Sequence, residues 1–116
     1  MSQYILLLHE SPTDATAMSP EEIQRVIEEY RAWSQSMGQA GNMVGGQKLT
    51  DEGGRRLKGW GNQLSVTDGP WAEAKEVIGG FFHINAKDYD EAVRLASSCP
   101  ALKYGGRIDL RVDLVD

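Results

Sequence analysis

Two hydrophobic periods organise the chain. Gln3 to Leu8 is apolar at nearly every position, a pattern that predicts a strand buried on both faces. Ser11 to Thr16 is turn chemistry. Ser19-Pro20-Glu21-Glu22 then supplies an N-cap serine, a proline at the first helical position and a glutamate three residues after the cap. Ile23, Val26, Ile27, Tyr30, Trp33 and Met37 follow at spacings of three and four, so one face of this helix is apolar, and Gly38 and Gly41 are expected to end it. From Asn42 to Thr67 glycines interrupt short apolar pieces, and the reading is strands joined by turns, with Gly61-Asn62 as a hairpin turn between Arg56–Trp60 and Gln63–Thr67. Ala72 to Glu76 favours a single helical turn and Val77 to Ile84 a strand. Asp88, with Glu91 three residues on, caps a second helix whose stripe is Tyr89, Ala92, Val93 and Ala96 and which Pro100 is expected to terminate. The last strand alternates Ile108, Leu110, Val112 and Leu114 with Arg107, Asp109, Arg111 and Asp113.

Strand, helix, two or three short strands, strand, helix, strand is the order of a ferredoxin-like α+β fold with an antiparallel sheet. Two helices cover one face of such a sheet. The first strand is apolar on both faces, and Phe81-Phe82 places a ring on each side of its own strand, so the other face calls for a second layer. The economical source is a second copy of the chain, giving a homodimer through sheet-to-sheet packing.

Composition bounds the class. One domain over residues 1–116 is expected from length alone. Seventeen acidic against twelve basic residues give a formal charge of −5, which disfavours nucleic acid and anionic membranes as partners. No window approaches the roughly 18 apolar residues of a membrane span. Met1 to Glu10 lacks the basic start and small-residue cleavage site of a secretory leader. With Cys99 as the only cysteine, no internal disulfide or cysteine metal cluster can form, and a cytoplasmic location is expected.

Val66-Thr67-Asp68-Gly69-Pro70-Trp71-Ala72-Glu73-Ala74-Lys75-Glu76, followed by Gly79-Gly80-Phe81-Phe82, resembles the YCII-related family and within it the DGPF branch. The opening strand Tyr4 to His9, Cys99-Pro100 and the closing Ile108-Asp109-Leu110-Arg111-Val112 carry the resemblance over nearly the whole chain. It implies a dimeric α/β barrel built on ferredoxin-like units. It also implies acid–base chemistry through a His–Asp pair in the wider family, whose histidine lies near the first helix, where Ser19 to Gly38 here holds none. Trp71 stands where the branch has Phe.

Candidate chemistry centres on Asp68, where the motif match falls on a carboxylate able to act as a base or simply to cap its own turn. His9 and His83 are the only imidazoles, and His9, at the end of the first strand, is the candidate partner of Asp68. Trp71 and Lys75, with Glu73 and Glu76 nearby, could line a pocket mouth. Arg111 is a candidate ligand contact, or one member of a charge ladder with Asp109 and Asp113. Cys99 is read as a core residue at the carboxyl end of a helix, where the thiolate is disfavoured. Arg55, Arg56 and Lys58 are too few for a nucleic-acid footprint, and no dinucleotide, phosphate-loop, cofactor or metal motif is present. Two readings stand: a homodimeric module that binds a small molecule or regulates, and an enzyme doing acid–base chemistry with Asp68 and His9.

Overall fold

A computed structural model of the chain describes residues 2–11, 18–50, 52–69 and 76–113. The long apolar run forms β1 (Ser2–Glu10) and lies inside a four-stranded sheet, antiparallel to β5 (Val77–Ala86) on one edge and to β6 (Arg107–Val112) on the other. Beyond β5 lies β2 (Met43–Lys48), giving the order β2-β5-β1-β6 with every pairing antiparallel. Mixed helices and one antiparallel sheet in this order are consistent with the ferredoxin-like expectation.

Helix α1 (Pro20–Gln39) begins as its capping chemistry requires: the Glu22 N–H donates to Ser19 Oγ at 3.2 Å, and the serine hydroxyl donates to Glu22 Oε1 at 3.2 Å. It runs through Gly38 and stops only before Gly41, whose φ of 81° is the left-handed conformation open to glycine. Helix α2 (Tyr89–Ala96) is capped by Asp88, whose Oδ1 accepts the Glu91 N–H at 2.9 Å. Here the apolar stripe differs from the sequence reading, since Ala92, Leu95 and Ala96 are buried while Val93 is exposed. Pro100 does not merely end α2. It opens a third helix, α3 (Pro100–Lys103), because a ring with no N–H is tolerated at a first helical position. The Trp33 indole N–H donates to Ser98 Oγ at 2.9 Å and ties α1 to the turn between α2 and α3.

All three helices lie on one side of the sheet. Tyr4, Leu6 and Leu8 of β1 and Ile84 and Ala86 of β5 point to that side and are buried. Phe82 joins them, with Trp33 edge-on at 4.9 Å and Tyr30 stacked at 6.2 Å between ring centroids. By alternation Ile5, Leu7 and His9 of β1, Phe81 and His83 of β5 and Asp109 and Arg111 of β6 belong to the opposite face, and none of them is fully buried. The molecule measures only 18 Å along its thinnest axis against 46 and 44 Å, the depth of one helix layer on one sheet.

Between β2 and β5 the chain makes a separate ribbon of β3 (Arg55–Lys58) and β4 (Ser65–Asp68). The hairpin was expected, but its connection is Gly59–Leu64 with a 3₁₀ turn over Gly61–Gln63 in place of a two-residue turn at Gly61-Asn62. Every residue from Arg55 to Asp68 is exposed, Trp60 at 91%. The expected turn over 72–76 and Leu114 fall outside the described residues, Glu76 excepted.

Leu6, fully enclosed, and Leu57, 62% exposed, give a direct test of where the core sits. Leu6→Ala is expected to lower unfolding free energy by about 2–5 kcal/mol and Leu57→Ala by less than about 0.5 kcal/mol, measured by denaturant titration.

Candidate functional site

The apolar face of α1 is longer than the surface it covers. Trp33 and Met37 in its second half are buried against the sheet, whereas Ile23 and Ile27 in its first half remain 42% and 43% exposed. The reason is a cavity of about 650 Å³ between this half of the helix and the sheet. Its walls include Ile23, Ile27 and Tyr30 from α1 and Leu8, Gly80 and Phe82 from the strands. This is the size and apolar character typical of small-molecule sites, roughly 300–1,000 Å³.

Gly46 of β2 helps to define one wall. A Cβ at that position would lie 2.6 Å from the Phe82 ring and 2.7 Å from the Phe81 carbonyl oxygen, so the absence of a side chain lets Phe82 lie flat across β2. Phe82 in turn forms the aromatic boundary between the cavity and the packed core around Trp33.

Polar side chains, Arg31 and Ser34 of α1 among them, also line the cavity. The Lys48 ammonium sits 3.2 Å from Glu10 Oε1 and also donates to the carbonyl oxygens of Leu49 at 2.8 Å and Gly79 at 3.1 Å. Tyr104 also lines the cavity, and its hydroxyl donates to Glu29 Oε1 at 2.7 Å while Lys103 Nζ donates to the same oxygen at 3.0 Å. The Tyr104 and Lys103 donors hold the Glu29 carboxyl below its usual value, and the bond to Glu29 in turn pushes the Tyr104 phenol up. This network pins α3 to α1 behind the cavity. Burial pushes the Tyr30 phenol far up, so it is a neutral hydrogen-bond donor across the whole working range.

Asp68, the leading catalytic candidate from sequence, stands at the end of β4 with its side chain 98% exposed, 3.9 Å from Arg55. Among the described residues no hydrogen bond or ion pair joins it to His9 or His83, so the expected Asp68–His9 pair does not form. His9 instead meets Asp109, with Nε2 3.0 Å from Oδ2, and Glu76, 3.7 Å from Nδ1. Although close, the Asp109 oxygen lies off the ring N–H direction, leaving Nε2 shielded from solvent without an aligned hydrogen bond. Arg107 completes the cluster, 2.8 Å from Glu76 and 3.8 Å from Asp109. His83 lies 3.5 Å from Asp113 in the same manner.

These pairings dissolve the expected ladder of Asp109, Arg111 and Asp113. Each aspartate turns to a histidine, and Arg111 is exposed with no ion pair among the described residues. Trp71 and Lys75 lie outside those residues. Cys99 is buried, as expected, but it precedes α3 and does not sit at a helix carboxyl end; burial is what raises its thiol. The His9–Asp109 contact follows from the register, in which antiparallel β1 and β6 set Leu7 opposite Asp109 and make the two side chains diagonal neighbours on one face; the sequence showed only the alternation that put Asp109 on the polar side of its strand. The cavity had none, because the stripe on α1 reads equally as packed core. No group of three or more metal-binding side chains occurs among the described residues, and none of their helices is long and apolar enough to cross a membrane.

Comparison with known families matches residues 2–112 to the YCII-related domain. Among curated proteins, an uncharacterised protein of Rhizobium meliloti (strain 1021) is 30% identical over 94 residues, covering 80% of this chain and 76% of that protein.

The Glu29 network has a pH signature. Because its carboxyl is lowered in the folded state, its stabilisation is present above the ordinary value of 4.5 and is lost as pH falls through the folded value. Glu29→Gln is therefore expected to melt below wild type at neutral pH, with the gap closing on acidification through that region in thermal melts.

Proposed function

The chain belongs to the YCII-related family, and from that footing we propose that it is a cytoplasmic homodimeric module of the DGPF branch that binds a small organic molecule. The observation that carries the binding reading is the cavity of about 650 Å³ between α1 and the sheet, with two isoleucines left half-exposed on its wall. A concave, mostly apolar surface of drug-molecule size is the usual form of a ligand site.

Dimerisation rests on the opposite face. Ile5, Leu7 and Phe81 form an apolar centre flanked by the His9–Asp109 and His83–Asp113 contacts, and no described helix covers it. Two such faces packed about a two-fold axis would make the barrel that the family resemblance implies, with each cavity on the outer, helical side of its own subunit. The acid–base alternative through Asp68 draws no support from the geometry, since that carboxylate is solvated and its nearest charge is Arg55.

Sedimentation velocity at micromolar concentration is expected to give a dimer for the wild type and a monomer for Leu7→Asp; a monomeric wild type would remove the dimer. Ile27→Trp fills the cavity from a position already 43% exposed while leaving the fold intact; amide shifts that phenylbutanol is expected to induce in NMR spectra of the wild type should be lost in this variant. Shifts that persist unchanged in that variant would place binding elsewhere.

A further inference from the structure

The charge balance of the cavity is opposite to that of the molecule. The chain carries a formal −5, yet the cavity is lined by two permanent cations, Arg31 and Lys48, against one carboxylate, Glu10. Lys48 is already committed to Glu10 and to the carbonyl oxygens of Leu49 and Gly79. Arg31 is not: among the described residues its guanidinium has neither an ion pair nor a hydrogen bond. One residue before it is Tyr30 and three after it Ser34, both lining the same cavity and both with hydroxyls that have no partner among the described residues. On α1 these positions fall within about one turn. They place a cation and two hydroxyl donors beside an apolar wall of Ile23, Ile27 and Phe82. The Tyr30 phenol, held protonated by burial, can offer its hydrogen throughout the neutral range.

We propose that the ligand is an amphipathic monoanion, an apolar body bearing one carboxylate, with Arg31 as its charge partner and Tyr30 and Ser34 as supporting donors. This rests on the binding reading above and narrows it. Arg31 is exposed and needs no counter-charge of its own, but a neutral ligand would make no use of it, and a cation would meet like charge beside an apolar wall. A phosphate-like dianion would call for further free cations or a phosphate loop; Lys48 is paired with Glu10, the cavity glycines Gly46, Gly79 and Gly80 lie in hydrogen-bonded strands, and the sequence has no phosphate-loop motif. A carboxylate matches the planar guanidinium, and an aromatic or branched aliphatic body matches the wall.

Isothermal titration of the full chain with phenylbutyrate and with phenylbutanol, equal in carbon skeleton, separates charge from apolar fit. The acid is expected to bind the wild type at least about ten-fold more tightly than the alcohol, as a charge-assisted contact beside an apolar wall allows. In Arg31→Gln, a change at an exposed helical position, the acid should fall to within about two-fold of the alcohol, and the alcohol should be unaffected. Equal binding of acid and alcohol to the wild type, or a preference that survives Arg31→Gln, overturns the anion assignment and leaves the binding reading standing. Binding of neither compound at millimolar concentration overturns both.

Discussion

Strand β1 is hydrogen-bonded along both edges and carries large apolar side chains on both faces, and the helix layer and the rest of the four-stranded sheet are arranged around it. Pairing with β5 and β6 satisfies its backbone, which a buried strand cannot leave unpaired. Its even-numbered side chains, Tyr4, Leu6 and Leu8, take the helix layer, and burying each contributes roughly 1.5–3 kcal/mol relative to exposure. The odd-numbered ones, Ile5 and Leu7, gain nothing from those helices. Among the described residues one helix layer therefore leaves the face of Ile5, Leu7 and Phe81 without an apolar cover.

The helix layer has its own mismatch, and the cavity follows from it. Trp33 and Met37 seat the second half of α1 on Phe82 and the sheet, and the Trp33–Ser98 hydrogen bond fixes that seat against the neighbouring turn. The Glu29–Tyr104–Lys103 network holds the middle of the helix to α3. Among the described residues no comparable hydrogen bond ties the first half to the sheet, and Ile23 and Ile27 stand off the strands with a space between. A helix is rigid over this length, and closing one end on the sheet does not close the other.

Much of the fold was legible in local chemistry. Ser19 and Asp88 each announced a helix through a cap whose hydrogen bonds are present as expected, and the alternation of the last strand assigned its faces correctly. The errors have local causes as well. Pro100 reads as a terminator but is also a preferred first residue, and which role applies depends on whether the chain beyond can form a turn. Gly61-Asn62 fits a two-residue turn, yet pairing of Leu57 with Val66 and Lys58 with Ser65 leaves six residues to be accommodated between the strands. The candidate site was much less legible. Asp68 and His9 are attractive one at a time, but a pair is a matter of distance, and the chain sends Asp68 out on a solvated ribbon while folding Asp109 beside His9.

By itself the sequence determined most of the elements, their order along the chain, the apolar character of both faces of β1 and the resemblance to the family, because caps, periodicity, turn residues and short motifs act over a few positions and are written where they act. Only the tertiary structure decided which side chains meet. That the apolar stripe of α1 is half core and half cavity wall, that Asp109 and Asp113 turn to histidines, and that among the described residues neither Arg111 nor Arg31 has an ion pair all depend on how rigid elements settle against one another. Such distances are set jointly by residues far apart in the chain, so no local pattern records them.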